Sequence, residues 1–246
     1  MDLRIGQSSV APLLVALASV LCACSPAKND ATPPAAVTPP PPAEAPAGAP
    51  APAPVTAVPL ADNLRARLVR SDSPVLGPAK APVTIVEFLD PACGACRAYS
   101  AVVKQVMFLY PDEVRVVVRY AAFHPGSDEA IRVLEASRKQ GKFAEVLTAL
   151  FDRQEEWAAH GAPRPELTWD IARENGVDLA RARRDASAAT IVNVLNRDSD
   201  DIVALEIERT PTFFVNGKRL PDFGPQELMD LVASEVQLAK SARPAT

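Results

Sequence analysis

Reactive side chains are scarce in this chain of 246 residues, which has four cysteines and two histidines. Only Cys93 and Cys96 lie beyond the first 24 residues, so a disulfide-stapled scaffold is excluded. A structural zinc site needs four ligands, and there is no second cysteine pair to join these two with His124 and His160. The net charge of -4 indicates no nucleic-acid partner.

Long apolar runs are also missing, since the run Ala11–Leu21 is too short for a bilayer, which needs about 20 residues. Its length is typical of a signal peptide. The letters "LCAC" (Leu21–Cys24) resemble the lipobox of bacterial lipoproteins, which implies lipid on Cys24 after removal of residues 1–23. An ordinary cleaved secretion signal and a retained anchor are the alternatives. All three place the remaining chain outside the cytoplasm.

Proline, in contrast, is abundant, with 25 residues that are clustered rather than scattered. The segment Pro26–Pro59 consists mostly of proline and alanine, without hydrophobic periodicity or aromatic residues. Such a segment buries no core and favours extended polyproline II. Residues 24–60 are therefore predicted to be a disordered linker, and residues 61–246 the folded domain.

The folded part begins with a strand–helix–strand pattern. "APVTIVEFLD" (Ala81–Asp90) is a nearly continuous apolar run, typical of a strand buried on both faces. Apolar residues at helical spacing follow Cys93 and stop at Pro111, and "VRVVVRYAAF" (Val114–Phe123) predicts a second strand. This order predicts two parallel strands with a right-handed crossover.

Helical periodicity then continues from about residue 126 to 207, before β signals return at Thr210–Leu220. Asn216-Gly217 in that segment predicts a hairpin turn. A last helix is expected from Pro225, with one apolar face. The residues expected on that face are Leu228, Leu231, Val232, Val236 and Leu238. The predicted fold class is thus α/β: a thioredoxin-like fold with an all-helical subdomain inserted between its βαβ and ββα halves.

Three motifs within Pro74–Val236 together resemble the DsbA-like family of thiol–disulfide oxidoreductases: "TIVEFLD", "CGAC" and "RTPTFFVNGK". The resemblance implies an enzyme without a cofactor that acts in the periplasm or cell envelope. Its expected partners are cysteine-containing exported proteins and a membrane redox protein that resets the cysteine pair.

The residues themselves favour a redox role for the pair Cys93–Cys96. A haem attachment site would have histidine where Arg97 stands, and a structural disulfide across two residues removes little unfolded-state entropy. The start of a helix favours the thiolate, so Cys93 is predicted to attack or be attacked and Cys96 to resolve the mixed disulfide. The spacer Gly94-Ala95 carries no charge, so we expect Cys93 to be less acidic than in relatives with histidine there.

The resemblance assigns two further features to the same site. Glu87 alone, in an apolar strand, is more typical of an outward-facing residue, but the family places a buried, proton-shuttling acid at this position. The resemblance also implies a cis bond between Thr210 and Pro211 that faces the cysteines. His124 is interpreted as a loop residue and Trp157 and Trp169 as core residues. The "RARR" run, residues 181–184, is interpreted as a solvated helix face.

The sequence therefore predicts a membrane-tethered, extracytoplasmic thiol–disulfide oxidoreductase. A reductase or isomerase with the same site remains an alternative, because direction depends on redox potential and on the partner. The alternative from another class is a thioredoxin-fold chaperone or adaptor that does not use its cysteines chemically.

Overall fold

The computed structural model describes residues 59–220 and 224–242. The predicted signal peptide, Cys24 and nearly all of the predicted linker lie outside these residues and stay predictions. Within the described residues, no helix combines the length and apolar character that crossing a bilayer requires.

One five-stranded sheet forms the centre of the described domain, in the order β1-β3-β2-β4-β5. The strands are β1 (Val75–Leu76), β2 (Val83–Leu89), β3 (Val114–Tyr120), β4 (Thr212–Val215) and β5 (Lys218–Arg219). As predicted, β2 and β3 are parallel, with Val83 opposite Val114 and Leu89 opposite Tyr120. The other neighbouring strands are antiparallel.

Apart from α1, which the sequence did not predict, the helices follow the predicted order around this sheet. The thioredoxin halves contain α1 (Asp62–Leu68), α2 (Gly94–Leu109) and α9 (Pro225–Ser241). The insertion between β3 and β4 consists of α3 (Ser127–Arg138), α4 (Phe143–Asp152), α5 (Gln154–Trp157), α6 (Leu167–Glu174), α7 (Leu179–Ala186) and α8 (Ala189–Ala204). This arrangement confirms the predicted fold class.

Alternation along β2 divides its side chains between two apolar clusters. Val86 and Phe88 join the cluster that also contains Leu68 of α1. Ile85 and Leu89 join the larger cluster beneath α2 and α9. Because side chains on a strand alternate between faces, Glu87 lies on the α2 side of the sheet together with Ile85 and Leu89.

Some sequence-based expectations were wrong at the level of single residues. Leu238 was placed on the apolar face of the last helix, yet it is 56% exposed while Val236 is buried. Leu238 lies in the last turn of the helix, which ends at Ser241. The strands are also shorter than predicted, because β2 begins at Val83 and β3 ends at Tyr120.

The two tryptophans of the insertion are core residues, as predicted. The arginine run, residues 181–184, was predicted to be a solvated helix face, which is only partly correct. Trp157 and Trp169 are both buried. Within the run interpreted as a solvated face, the Arg183 guanidinium stacks over the Trp169 ring, 4.5 Å from its centroid. Ala182 in the same run is buried. Part of this segment of α7 therefore packs against the rest of the insertion.

A buried ionic network ties the insertion to the sheet. Arg119 of β3 is fully buried, and its Nη2 lies 2.6 Å from an Asp198 carboxylate oxygen and 2.7 Å from one of Asp201. Arg67 and Arg70 also donate to Asp201, at 2.9 Å and 2.6 Å. The network thus fixes α8 against β3 and against the segment that follows α1.

We expect Arg119→Met to lower the free energy of unfolding by about 3–5 kcal/mol, because it leaves two buried carboxylates without their central cation. Urea denaturation followed by circular dichroism measures this loss. The matched control is Arg173→Met, which removes the exposed pair with Asp170 and should cost below about 1 kcal/mol. Equal losses in the two variants would contradict the assigned importance of the network.

Candidate active site

The two cysteines lie where β2 passes into α2. Cys93 is the residue that caps the helix, with extended backbone (φ -77, ψ 122), and the helix itself begins at Gly94. Both cysteines are free thiols. Both cysteines are buried, but Cys93 keeps 7% of its surface exposed whereas Cys96 keeps none, so Cys93 lies closer to the surface.

The environment separates the proton affinities of the two sulfurs. A hydrogen bond with the Cys96 thiol is the largest effect on Cys93 and lowers its pKa to about 5, although burial opposes the shift. The Thr210 side chain and the backbone amides of Cys96 and Ala95 lower it further. Burial, the neighbouring Cys93 and the charge of Glu87 raise the pKa of Cys96 far above its ordinary value. At neutral pH the pair therefore consists of a thiolate at Cys93 and a thiol at Cys96.

Glu87 is buried as the resemblance implied, and it lies beneath α2. It is 4% exposed, and its Oε1 has no hydrogen-bond partner among the described residues. Burial raises the pKa of its carboxyl to about 8. Glu87 is therefore a protonated acid at neutral pH, and when it ionises its charge acts on Cys96.

The segment before β4 completes the site from the opposite side. The Thr210–Pro211 peptide bond is cis, as predicted. The Cys93 Sγ lies 3.3 Å from the Thr210 carbonyl oxygen, to which the protonated thiol donates. The structure thus places Thr210 beside the Cys93 sulfur, with Pro211 next in the chain.

Asp90 was not predicted from the sequence, although it organises the junction. This fully buried carboxylate accepts hydrogen bonds from the backbone amides of Ala92 (2.9 Å), Phe123 (2.8 Å) and His124 (3.0 Å). The Ser127 hydroxyl also donates to it. Its own amide donates to the Cys96 Sγ at 3.4 Å. Its position in the sequence could have identified it, because it directly follows a buried strand, where the loops after parallel strands meet.

His124 is a loop residue as predicted, but it is not independent of the site. Its Nδ1 lies 2.7 Å from the Asp90 carboxylate. Asp90 in turn contacts Cys96 through its backbone amide. His124 therefore contacts the loop that carries the cysteines rather than the cysteines themselves.

Gln154 is a second residue that the sequence gave no means to predict. It comes from α5 of the insertion and is 5% exposed. Its Nε2 donates to the carbonyl oxygens of Pro91 (2.8 Å) and Cys93 (3.0 Å). One side chain of the insertion thus holds the backbone on both sides of Ala92.

We expect Gln154→Met to cost about 1–3 kcal/mol of unfolding free energy, because two carbonyls lose their buried donor while the side chain keeps its size. Hydrogen exchange at the amides from Ala92 to Cys96 should also become faster. The control is Gln226→Met at an exposed position of α9, where the side-chain amide donates to Asp230. If both variants behave alike, Gln154 does not hold the loop.

The two shifted groups should also give reduced protein an unusual pH dependence. Folding lowers the pKa of Cys93 from 9.0 to about 5, so the thiolate adds stability that appears as pH rises through this window. Folding raises the pKa of Glu87 from 4.5 to about 8, so its contribution to stability falls as pH rises. Between pH 5 and 8 the two effects oppose each other.

We therefore expect Glu87→Gln to make the stability of the reduced protein increase more steeply from pH 5 to pH 8 than in wild type. Cys93→Ser should shift the slope in the opposite direction, because only the Glu87 contribution remains. Urea midpoints at several pH values, measured with a reducing agent present, give the slopes. Parallel curves for wild type and Glu87→Gln would contradict the raised pKa of Glu87.

The comparisons with known proteins agree with this geometry. The family model described as Thioredoxin matches residues 70–233, well over half of the chain. A thioredoxin-like oxidoreductase from Silicibacter pomeroyi is 30% identical, with a TM-score of 0.60 over 74% of this chain and 98% of that one. Disulfide bond formation protein D of Bacillus subtilis is 27% identical over 176 residues, 67% of this chain and 77% of that protein.

A third similarity is to longer proteins of a different name. The Na(+)/H(+) antiporter NhaA of Herminiimonas arsenicoxydans is 34% identical over 136 residues. That match covers 55% of this chain but only 21% of the antiporter, so no ion transport is inferred from it. The matching fold, the sulfur pair and the two oxidoreductase relatives all lead to one assignment. The chain belongs to the thioredoxin family and is a DsbA-like thiol–disulfide oxidoreductase.

Proposed function

We propose that this protein exchanges a Cys93–Cys96 disulfide with the cysteines of exported proteins. The observation that carries this proposal is the asymmetry between the two sulfurs. Cys93 keeps slight exposure and is ionised at neutral pH, whereas Cys96 is fully buried and protonated. A pair built only for structure has no need of that difference.

In the oxidising direction, a substrate thiolate attacks the Cys93 Sγ and the Cys93–Cys96 bond breaks. Cys96 leaves with the electron pair and takes a proton from Glu87, and the Glu87 carboxylate then regains a proton from solvent. A second substrate thiolate then attacks the substrate sulfur of the mixed disulfide, and Cys93 leaves as a thiolate. The substrate gains a disulfide and the enzyme becomes the dithiol.

Thr210 and Pro211 are proposed to shape the substrate groove. The Thr210 carbonyl lies beside the Cys93 Sγ, so a substrate strand that passes the sulfur also passes this backbone. Gln154 and Asp90 contribute indirectly as positioning residues, because they hold the loop from Pro91 to Cys93 and its contact with Cys96.

The lowered pKa of Cys93 favours oxidation of substrates over their reduction. A stabilised thiolate stabilises the dithiol form of the enzyme, which makes its disulfide a stronger oxidant. The uncharged spacer Gly94-Ala95 still predicts a weaker oxidant than relatives with histidine there. Equilibration with glutathione buffers measures the potential, and a value well below the ambient glutathione poise would favour the reductase alternative.

The proposed location is the periplasm or cell envelope, with the domain tethered through lipid on Cys24. The lipobox-like "LCAC" and the proline-rich segment after it support this proposal. A membrane redox protein would then reoxidise the dithiol. Labelling of the full chain with a radioactive fatty acid, compared with Cys24→Ser, tests the anchor.

The decisive test of the chemistry compares wild type with the double variant Cys93→Ser/Cys96→Ser in insulin reduction and peptide oxidation. We expect the double variant to fall to the uncatalysed rate. Cys96→Ala should instead accumulate a mixed disulfide between Cys93 and the peptide, because no resolving thiol remains. Full biological activity of the double variant would overturn the proposal in favour of a chaperone or adaptor.

A further inference from the structure

A cleft of about 350 Å³ lies between α2 and α4, above the sheet. Val103 and Met107 line it on the α2 side, and Leu147 and Phe151 line it on the α4 side. Its volume is within the range of about 300–1,000 Å³ that is typical of ligand sites. The cleft therefore lies between the thioredoxin half and the insertion, and side chains of neither half fill it.

Glu87 lines this largely apolar cleft together with Leu89 and Val118. Its Oε1 is buried and has no hydrogen-bond partner among the described residues. A buried polar atom without a partner costs free energy, and a molecule that supplies a hydrogen bond removes that cost. Glu87 thus supplies the only carboxyl group among the residues that line this largely apolar cleft.

The walls restrict what such a ligand can be. A charged molecule would have to leave water for apolar side chains, which is unfavourable. Lys104 also lines the cleft and is exposed, so it disfavours a cation in particular. A neutral, mostly apolar molecule with one polar group fits these conditions.

We propose that this cleft binds a small neutral molecule consisting of an apolar ring with one hydroxyl group, such as a phenol, whose hydroxyl bonds to the Glu87 carboxyl. The ring lies among Val103, Met107, Leu147 and Phe151. The hydroxyl both accepts and donates, so it can match either protonation state of the carboxyl.

Occupation of the cleft would regulate the enzyme, a consequence that rests on the proposed function. Ser100 also lines the cleft and lies one helical turn beyond Cys96 on α2. A hydroxyl bound to Glu87 competes with proton transfer between Glu87 and Cys96. The ligand would slow disulfide exchange while leaving the Cys93 sulfur exposed to substrates.

Fluorine NMR titration of the full chain with 4-fluorophenol and with fluorobenzene tests the binding. We expect wild type to bind 4-fluorophenol about tenfold more tightly than fluorobenzene, the factor that one hydrogen bond supplies. In Glu87→Leu this preference should disappear while fluorobenzene still binds. Equal affinities of wild type for the two probes, or no binding of either, would overturn the proposal.

Variants in which a tryptophan side chain fills the cleft provide a second test. Thr148→Trp places an indole in the cleft from α4, and Ala144→Trp does so from the exposed end of the same helix. Binding of 4-fluorophenol should be lost in whichever of the two keeps the wild-type circular dichroism spectrum. The control Val203→Trp, at a 77% exposed position on α8, should bind like wild type. Unchanged binding in a folded cleft variant would place the probe elsewhere.

The titration needs no sulfur chemistry, so it separates this proposal from the proposed function. Repeated with Cys93→Ser/Cys96→Ser, it should give the wild-type affinity. In wild type, peptide oxidation without probe binding would overturn the ligand site alone. Probe binding by a wild-type protein that shows no peptide oxidation would overturn the redox function and leave the ligand site standing.

Discussion

The hydrogen bond between the two active-site sulfurs is the interaction on which the chemistry depends. It is the largest effect that lowers the pKa of Cys93, and it requires Cys96 to remain protonated one turn into α2. Burial of Cys96 keeps the proton there. The Cys93 sulfur is therefore reactive because its neighbour is inaccessible, and much of the surrounding structure keeps that neighbour covered.

Keeping Cys96 in place involves both halves of the domain. Asp90 collects donors from the loops after β2 and β3, and its amide bonds to the Cys96 sulfur. Gln154 reaches the same loop from the insertion. The Arg119 network holds the far end of the insertion against β3. The inserted helices are thus part of the active-site support, in addition to any contact that they make with substrates.

The sequence was informative wherever local patterns carry the information. Apolar β-branched runs predicted the central strands, Asn216-Gly217 predicted the hairpin, and the cysteine spacing predicted the redox pair. The short strand β1 and helix α1 were missed, because two paired residues or two helical turns leave no period to detect. Gln154 was missed for a different reason: its partners are main-chain carbonyls 61 and 63 residues away, and a glutamine in a polar helix does not signal them.

The burial of Glu87 shows how function departs from stability in this fold. An apolar residue at that position of β2 would pack without the cost of an unsatisfied carboxyl. The same desolvation that destabilises the ionised form keeps the group protonated at neutral pH, where it can give a proton to Cys96. In the proposed exchange the proton leaves Glu87 as Cys96 gains it, and the buried carboxylate that remains must then take a proton from solvent, because burial raises its pKa to about 8. We propose that the strand tolerates this destabilising residue because it serves the buried sulfur.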